Sequence, residues 1–218
     1  MSVITALEVQ KKNKERVNVY LDGEYAFSLT LMEAARLRKG QTLDDDQMAA
    51  LKGEDEVQKA VDRAARFLAY RPRSIQEVRR NLHEKGTAPE IIEAAIERLS
   101  AMGYLDDVVF ARFWVQNRNE FKPLSPKALR YELRQKGVSS EIIDEVLESV
   151  DRDDLAYRAA FSRAQRLRGT NRQVFRQKLS AFLQQRGFGY AAIRDVVERL
   201  VAELDAEGHF EDMADDEE

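Results

Sequence analysis

Between Leu155 and Arg194 the chain carries nine cationic side chains and no Asp or Glu. They are Arg158, Arg163, Arg166, Arg168, Arg172, Arg176, Lys178, Arg186 and Arg194. A solvated helix face normally mixes signs, with opposite charges four residues apart. Like charges at this density repel, so a polyanionic partner is the expected reason for them. The competing explanation is neutralisation by acidic residues elsewhere in the same chain. Smaller basic groups occur earlier. Lys127, Arg130 and Arg134 recur at helical spacing around the apolar pair Leu129 and Leu133, and Arg71, Arg73, Arg79, Arg80 and Lys85 lie upstream. The expected polyanion contacts are Arg79, Arg80, Arg118, Lys127, Arg130, Arg134, Arg163, Arg166, Arg168, Arg172, Arg176 and Lys178.

Residues for covalent or acid–base chemistry are scarce. There is no cysteine, which removes disulfides, thiolate metal sites and cysteine nucleophiles. The two histidines, His83 and His209, are far apart in sequence. His83 reads as a solvated helix residue and His209 as part of an acidic terminus. No Gly precedes Lys-Ser or Lys-Thr, so no P-loop exists, and Gly187-Phe188-Gly189 follows a helix where a phosphate loop would follow a strand. Asp106-Asp107 reads as helix capping. No cofactor, metal or enzymatic activity is expected. No apolar run approaches the roughly 20 residues that span a bilayer, and the N-terminus lacks a secretory pattern. A cytoplasmic location without membrane contact is expected.

The elements that must carry these cations are mainly α-helical. Residues 3–29 are the exception: ITALEVQ, RVNVYLD and EYAFSLTL read as a three-stranded meander, with Asp22-Gly23 as a two-residue hairpin turn. Two short helices are expected next, one ending near Gly40 and one over Asp44–Lys52 with Thr42 or Asp44 as cap.

Beyond Glu56 an internal repeat appears. Segments 74–99, 125–150 and 175–200 align without a gap. Val78, Leu129 and Leu179 coincide, as do Leu82, Leu133 and Leu183, then Gly86, Gly137 and Gly187, then Ile92, Ile143 and Ile193. Each has a further helix in front, over 57–70, 107–120 and 153–168. The unit is three helices, and stacked units of this size form an extended array.

Local signals agree. Ser74-x-x-Glu77, Thr87-x-x-Glu90 and Thr170-x-x-Gln173 read as capping boxes. Ser125-Pro126 reads as a cap with a first-turn proline, and the three glycines as left-handed stops. In Gly103-Tyr104-Leu105-Asp106-Asp107, Gly103 ends one repeat and Asp106 caps the next. Leu105 is expected to staple onto Phe110. Of the aromatics Phe110, Phe113, Trp114, Phe121, Phe161, Phe175, Phe182 and Tyr190, most are expected in the core, with a partner anchor as the alternative for Trp114. The expected boundaries are a β region at 1–55, repeats at 56–104, 105–152 and 153–204, and a disordered acidic tail at 205–218.

Charge follows these boundaries. The whole chain carries −4. Residues 1–56 hold 8 basic and 11 acidic side chains, 57–204 hold 27 and 20, and the tail holds eight acids and no Lys or Arg. The helical region is therefore basic inside an acidic protein.

The chain resembles RecX-type regulatory proteins, modulators of the RecA recombinase. The resemblance rests on RPRSIQEVRRNLHEKG at 71–86, GYLDDVVFARFWVQNR at 103–118 and PLSPKALRYELRQKGVSSEII at 123–143. GYLDD followed by Phe110-Ala111-Arg112 is its most specific part. The resemblance implies three tandem three-helix repeats after an N-terminal extension. It also implies binding in the groove of a RecA–single-stranded-DNA filament, with restraint of ATP hydrolysis, strand exchange and repressor cleavage. The residues themselves leave two other readings open, a direct DNA-binding module with weak phosphate contacts and a general protein scaffold. A monomer is expected, because no self-complementary patch stands out.

Overall fold

The computed structural model describes residues 1–148, 150, 152–167 and 169–210, excepting the side chains of Arg152 and Asp153. Arg168 and all but the first residues of the expected acidic tail lie outside this set. Two compact units are present, Met1–Asp106 and Asp107–Glu218.

The first unit opens with strands β1 (Ser2–Val9), β2 (Arg16–Leu21) and β3 (Glu24–Thr30). Asp22 (φ 51°) and Gly23 (φ 94°) make the β2–β3 turn with two successive left-handed residues. That geometry follows the right-handed twist of the strands. A fourth strand, β4 (Thr42–Leu43), pairs with β1, so the antiparallel order is β3-β2-β1-β4. Two residues are too short to announce themselves by alternation. One face of the sheet buries Ile4, Val19, Phe27, Leu29 and Leu43.

Helix α1 (Leu31–Ala34) is a single turn that ends well before Gly40. Helix α2 (Asp45–Leu68) is capped by Asp44, whose carboxylate accepts from the Gln47 N–H. The two helices expected near 44–52 and 57–70 are one continuous element. Gly53 costs a helix roughly 1 kcal/mol relative to Ala, and α2 offsets this by belonging to two cores. Met48 and Leu51 pack under the sheet, while Val57, Ala60, Val61 and Ala64 join the first repeat. Between those groups the buried Asp55 carboxylate receives the buried Arg16 guanidinium from β2. It also lies 2.7 Å from Lys59 and 3.4 Å from the Ser28 N–H. Sheet and helix are thus joined by a buried ion pair. Helices α3 (Ile75–Glu84) and α4 (Pro89–Ala101) complete the repeat around Val78, Leu82, Ile92, Ala95 and Leu99.

The second unit holds α5 (Asp107–Phe121), α6 (Pro126–Gln135), α7 (Ser140–Glu148), α8 (Arg152–Gln165), α9 (Arg172–Gln185) and α10 (Tyr190–Ala206). Its two repeats share one core, which runs from Phe110 through Leu129, Leu133, Ile143, Phe175 and Leu183 to Leu204. Leu105 is buried in the core of the first repeat and Phe110 in the core of the second unit. The extra length of α10 moves the expected end of the repeat from 204 to Ala206, with Gly208 (φ 72°) after it.

The repeat glycines end their helices in one way. Gly86, Gly137 and Gly187 have φ of 75°, 78° and 83°. Each following N–H reaches back five residues: Thr87 to Leu82 O, Val138 to Leu133 O, Phe188 to Leu183 O. Each is a Schellman termination, which satisfies otherwise orphaned carbonyls. Gly187 has a second constraint. A Cβ there would lie 2.7 Å from Ser125 Oγ and 3.2 Å from Ala128 Cβ, and the Ser125 N–H donates to Arg186 O at 3.0 Å. The α9–α10 turn is therefore seated on the start of α6.

Ser74 and Ser125 cap α3 and α6 as expected. Two expected caps are displaced by one residue. Ala88 stands at the N-cap of α4 with no side-chain bond, and the Thr87 hydroxyl instead accepts from Arg63 at 3.1 Å. Asn171 caps α9, while the Thr170 hydroxyl donates to Leu167 O. In both places Gly leads directly into the threonine, and the chain needs one further extended residue before the helix can start.

Candidate polyanion-binding surface

Folding divides the expected cations into two groups. One group is already neutralised. Arg79 forks onto Glu93, Nε to Oε1 at 2.7 Å and Nη2 to Oε2 at 2.8 Å, so α3 is tied to α4. Its guanidinium holds the Glu93 carboxyl below the ordinary carboxylate value. Arg130 pairs with Asp144 and ties α6 to α7. These are equivalent positions of the repeat, each pair 14 residues apart. The third repeat has Ser180 and Arg194 there and no such bridge. Arg118 lies over the Trp114 ring at 4.3 Å, and both Arg118 Nε and Trp114 Nε1 donate to Glu132 Oε2.

The acid-free stretch also borrows acids from outside it. Arg158 meets Asp154 at 3.5 Å, Arg194 meets Asp195 at 2.9 Å, and Arg172 meets Asp205 near the end of α10. Asp205, expected in a disordered tail, is in fact helical and paired.

The other group is exposed and bears no ion pair among the described residues: Arg80 on α3, Lys127 and Arg134 on α6, Arg166 after α8, and Arg176 and Lys178 on α9. Lys127 and Arg134 are seven residues apart, two helical turns, and so lie in one row. The burial of Leu129 and Leu133 turns that row outward. On α9, Phe175, Leu179 and Leu183 are buried, which leaves Arg176 and Lys178 to solvent. Arg163 is part-buried, its guanidinium 5.8 Å from the Phe182 ring.

Arg186, one of the nine cations of the acid-free stretch but not among the expected contacts, lies 4.8 Å from the Phe182 ring centroid and donates to Pro123 O at 3.1 Å; partial burial lowers its pKa. Of the aromatics expected mostly in the core, Phe121, Phe161 and Tyr190 are instead 72%, 43% and 82% exposed. Phe121 is the last residue of α5, where no later turn covers it. His83 is exposed, and His209 pairs with Glu207 at 2.8 Å. Among the described residues no cluster of His, Asp and Glu is placed to hold a metal, and no helix is long and apolar enough to cross a membrane.

Comparison with known proteins agrees with this architecture module by module. Family models match in order along the chain: the regulatory protein RecX N-terminal domain at residues 2–44, then the first, second and third RecX three-helix domains at 54–99, 106–147 and 151–197. The regulatory protein RecX of Bacillus subtilis (strain 168) is 35% identical over 211 residues, covering 94% of this chain and 80% of that protein. That of Clostridium botulinum (strain Alaska E43) is 35% identical over 208 residues, covering 92% and 97%. The chain belongs to the RecX family. A RecX crystal structure superposes with a TM-score of 0.74 at 30% identity, covering 91% of this chain and all of that one. RecX from Lactobacillus salivarius shares the fold at a TM-score of 0.56 and 22% identity. The N-terminal sheet and the three repeats are therefore family modules.

Proposed function

We propose that this RecX-family chain is a non-enzymatic regulator that binds RecA–single-stranded-DNA filaments and inhibits or remodels them. It would thereby modulate recombination, DNA repair and the SOS response in the cytoplasm, acting as a monomer. The observation that carries the reading is the ordered match of all four RecX modules, with relatives named as regulatory proteins. The unpaired cations Lys127, Arg134, Arg166, Arg176 and Lys178 suit it. Each can meet filament carboxylates or DNA phosphates without first breaking an ion pair of its own.

The test is RecA ATP hydrolysis on single-stranded DNA with the chain titrated in, repeated across salt. Inhibition that weakens as salt rises is expected. Unchanged hydrolysis at every ratio would overturn the reading. Tight, sequence-selective duplex binding without recombinase would replace it with direct DNA recognition.

A further inference from the structure

Where the end of α5 meets α8 and α9, the second unit has a cleft of about 550 Å³. That volume lies within the range of small-ligand sites. Four arginines line it: Arg158, Arg163, Arg166 and Arg186. Glu120 is the only carboxylate in its wall among the described residues. Two of the guanidiniums lie near the Phe182 ring, that of Arg186 at 4.8 Å and that of Arg163 at 5.8 Å from its centroid. Arg163 Nε is shielded from water and has no hydrogen-bond partner among the described residues. Phe121 and Phe161 line the same cleft and are exposed, Phe161 with its ring also stacked against Tyr157 at 5.9 Å. Tyr157 is occupied, with its hydroxyl donating to Glu203 and Arg199 stacked on its ring.

Cations alone would suit any polyanion. Cations interleaved with open aromatic faces suit one whose charged backbone alternates with flat apolar groups. A duplex hides its bases, and an acidic peptide offers nothing flat to stack. We infer that this cleft takes a short stretch of single-stranded nucleic acid, with phosphates against Arg158, Arg163, Arg166 and Arg186 and bases on Phe121 and Phe161. Binding hydrogen-bonds the orphaned Arg163 Nε and draws Arg158 from its surface contact with Asp154. The inference rests on the proposed function only in the source of the strand, a region of DNA that a recombinase leaves uncovered.

The experiment uses the full chain without RecA and a short fluorescein-labelled oligothymidylate, read by anisotropy. Phe121→Ala should weaken binding about tenfold, the loss of roughly one stacked base, with an unchanged salt slope. Phe121→Leu, which keeps the apolar bulk and loses the ring, should weaken it similarly. Arg166→Glu should weaken binding and flatten the slope by about 0.7, one phosphate contact on a single strand. Both positions are exposed, and circular dichroism checks that helicity is kept. The inference is overturned if the oligonucleotide does not bind or if both Phe121 variants bind as the parent does. Displacement of the oligonucleotide by polyglutamate as readily as by unlabelled oligothymidylate would also overturn it, because the cleft would then read charge alone. RecA ATPase inhibition is measured on the same samples. Inhibition without oligonucleotide binding sinks this inference and leaves the proposed function standing; binding without inhibition does the reverse.

Discussion

At the scale of single residues, the repeat shows which arginines are structural. Arg79 and Arg130 each reach a carboxylate 14 residues on, and the third repeat abandons the pair. Replacing Arg79 by Ala should raise the Glu93 pKa towards the ordinary carboxylate range, measurable by NMR titration. The pair helps the folded state above that range, where an unfolded-state Glu93 would also be charged. The benefit fades as pH falls through the lowered folded value. Both partners are solvated, so the stability change should stay within about 1 kcal/mol. Arg176→Glu with Lys178→Glu should relieve RecA ATPase inhibition several-fold, whereas Arg79→Ala should leave it nearly unchanged. Equal effects of the two would refute the division into free and paired cations. The sequence marks both kinds of arginine alike, because it displays charge but not the partner. Arg172 looked unopposed across its own forty residues, yet it meets Asp205 on the next helix.

At the scale of elements, helix ends were legible where geometry demands a particular residue. Gly86, Gly137 and Gly187 each take a positive φ, and only glycine does so at little cost. Gly86→Ala should cost about 1 kcal/mol, since nothing lies within 4 Å of the added carbon. Gly187→Ala should cost roughly two to three times as much, because overpacking against Ser125 adds to the backbone strain. Urea denaturation of the full chain measures both. Ser125→Ala loses the α6 cap by itself, so the double variant should cost less than the sum of Gly187→Ala and Ser125→Ala. Equal costs at the two glycines would mean that α6 yields to the α9–α10 turn. Helix starts were read less well. Thr87 and Thr170 fit the capping pattern, but the residue after each holds the cap position, and the pattern cannot separate neighbours one place apart. The spacing predicts separate helices over 44–52 and 57–70, whereas the Arg16–Asp55 pair and contacts to two separate cores accompany one continuous α2 that runs through Gly53. Removing only one partner, as in Asp55→Ala, should cost about 3–5 kcal/mol by stranding Arg16 in a buried site.

At the scale of the whole molecule, charge is segregated along the chain, and the net −4 describes none of its parts. The described residues end at Phe210, which packs edge-on against Phe175 at 5.3 Å with the Arg172 guanidinium 5.7 Å from its ring. The six acids at 211–218 follow Phe210 in the sequence and lie outside the described residues. Deleting 211–218 should tighten oligothymidylate binding, most strongly at low salt where charges act over the longest range. Equal affinity with and without those residues at every salt would show that they act on solubility alone.

The sequence by itself determined the modules: a β meander, three homologous three-helix repeats, their glycine stops and their basic bias. These are local or periodic properties, written in apolar spacing and in backbone conformations that few residues adopt. Tertiary structure alone decided which cations remain free and where one core ends and the next begins. It also brought Phe121, Phe161 and four arginines into one cleft. Those outcomes depend on residues that approach each other across tens of positions, and one-dimensional spacing does not encode which of several compatible partners a side chain meets.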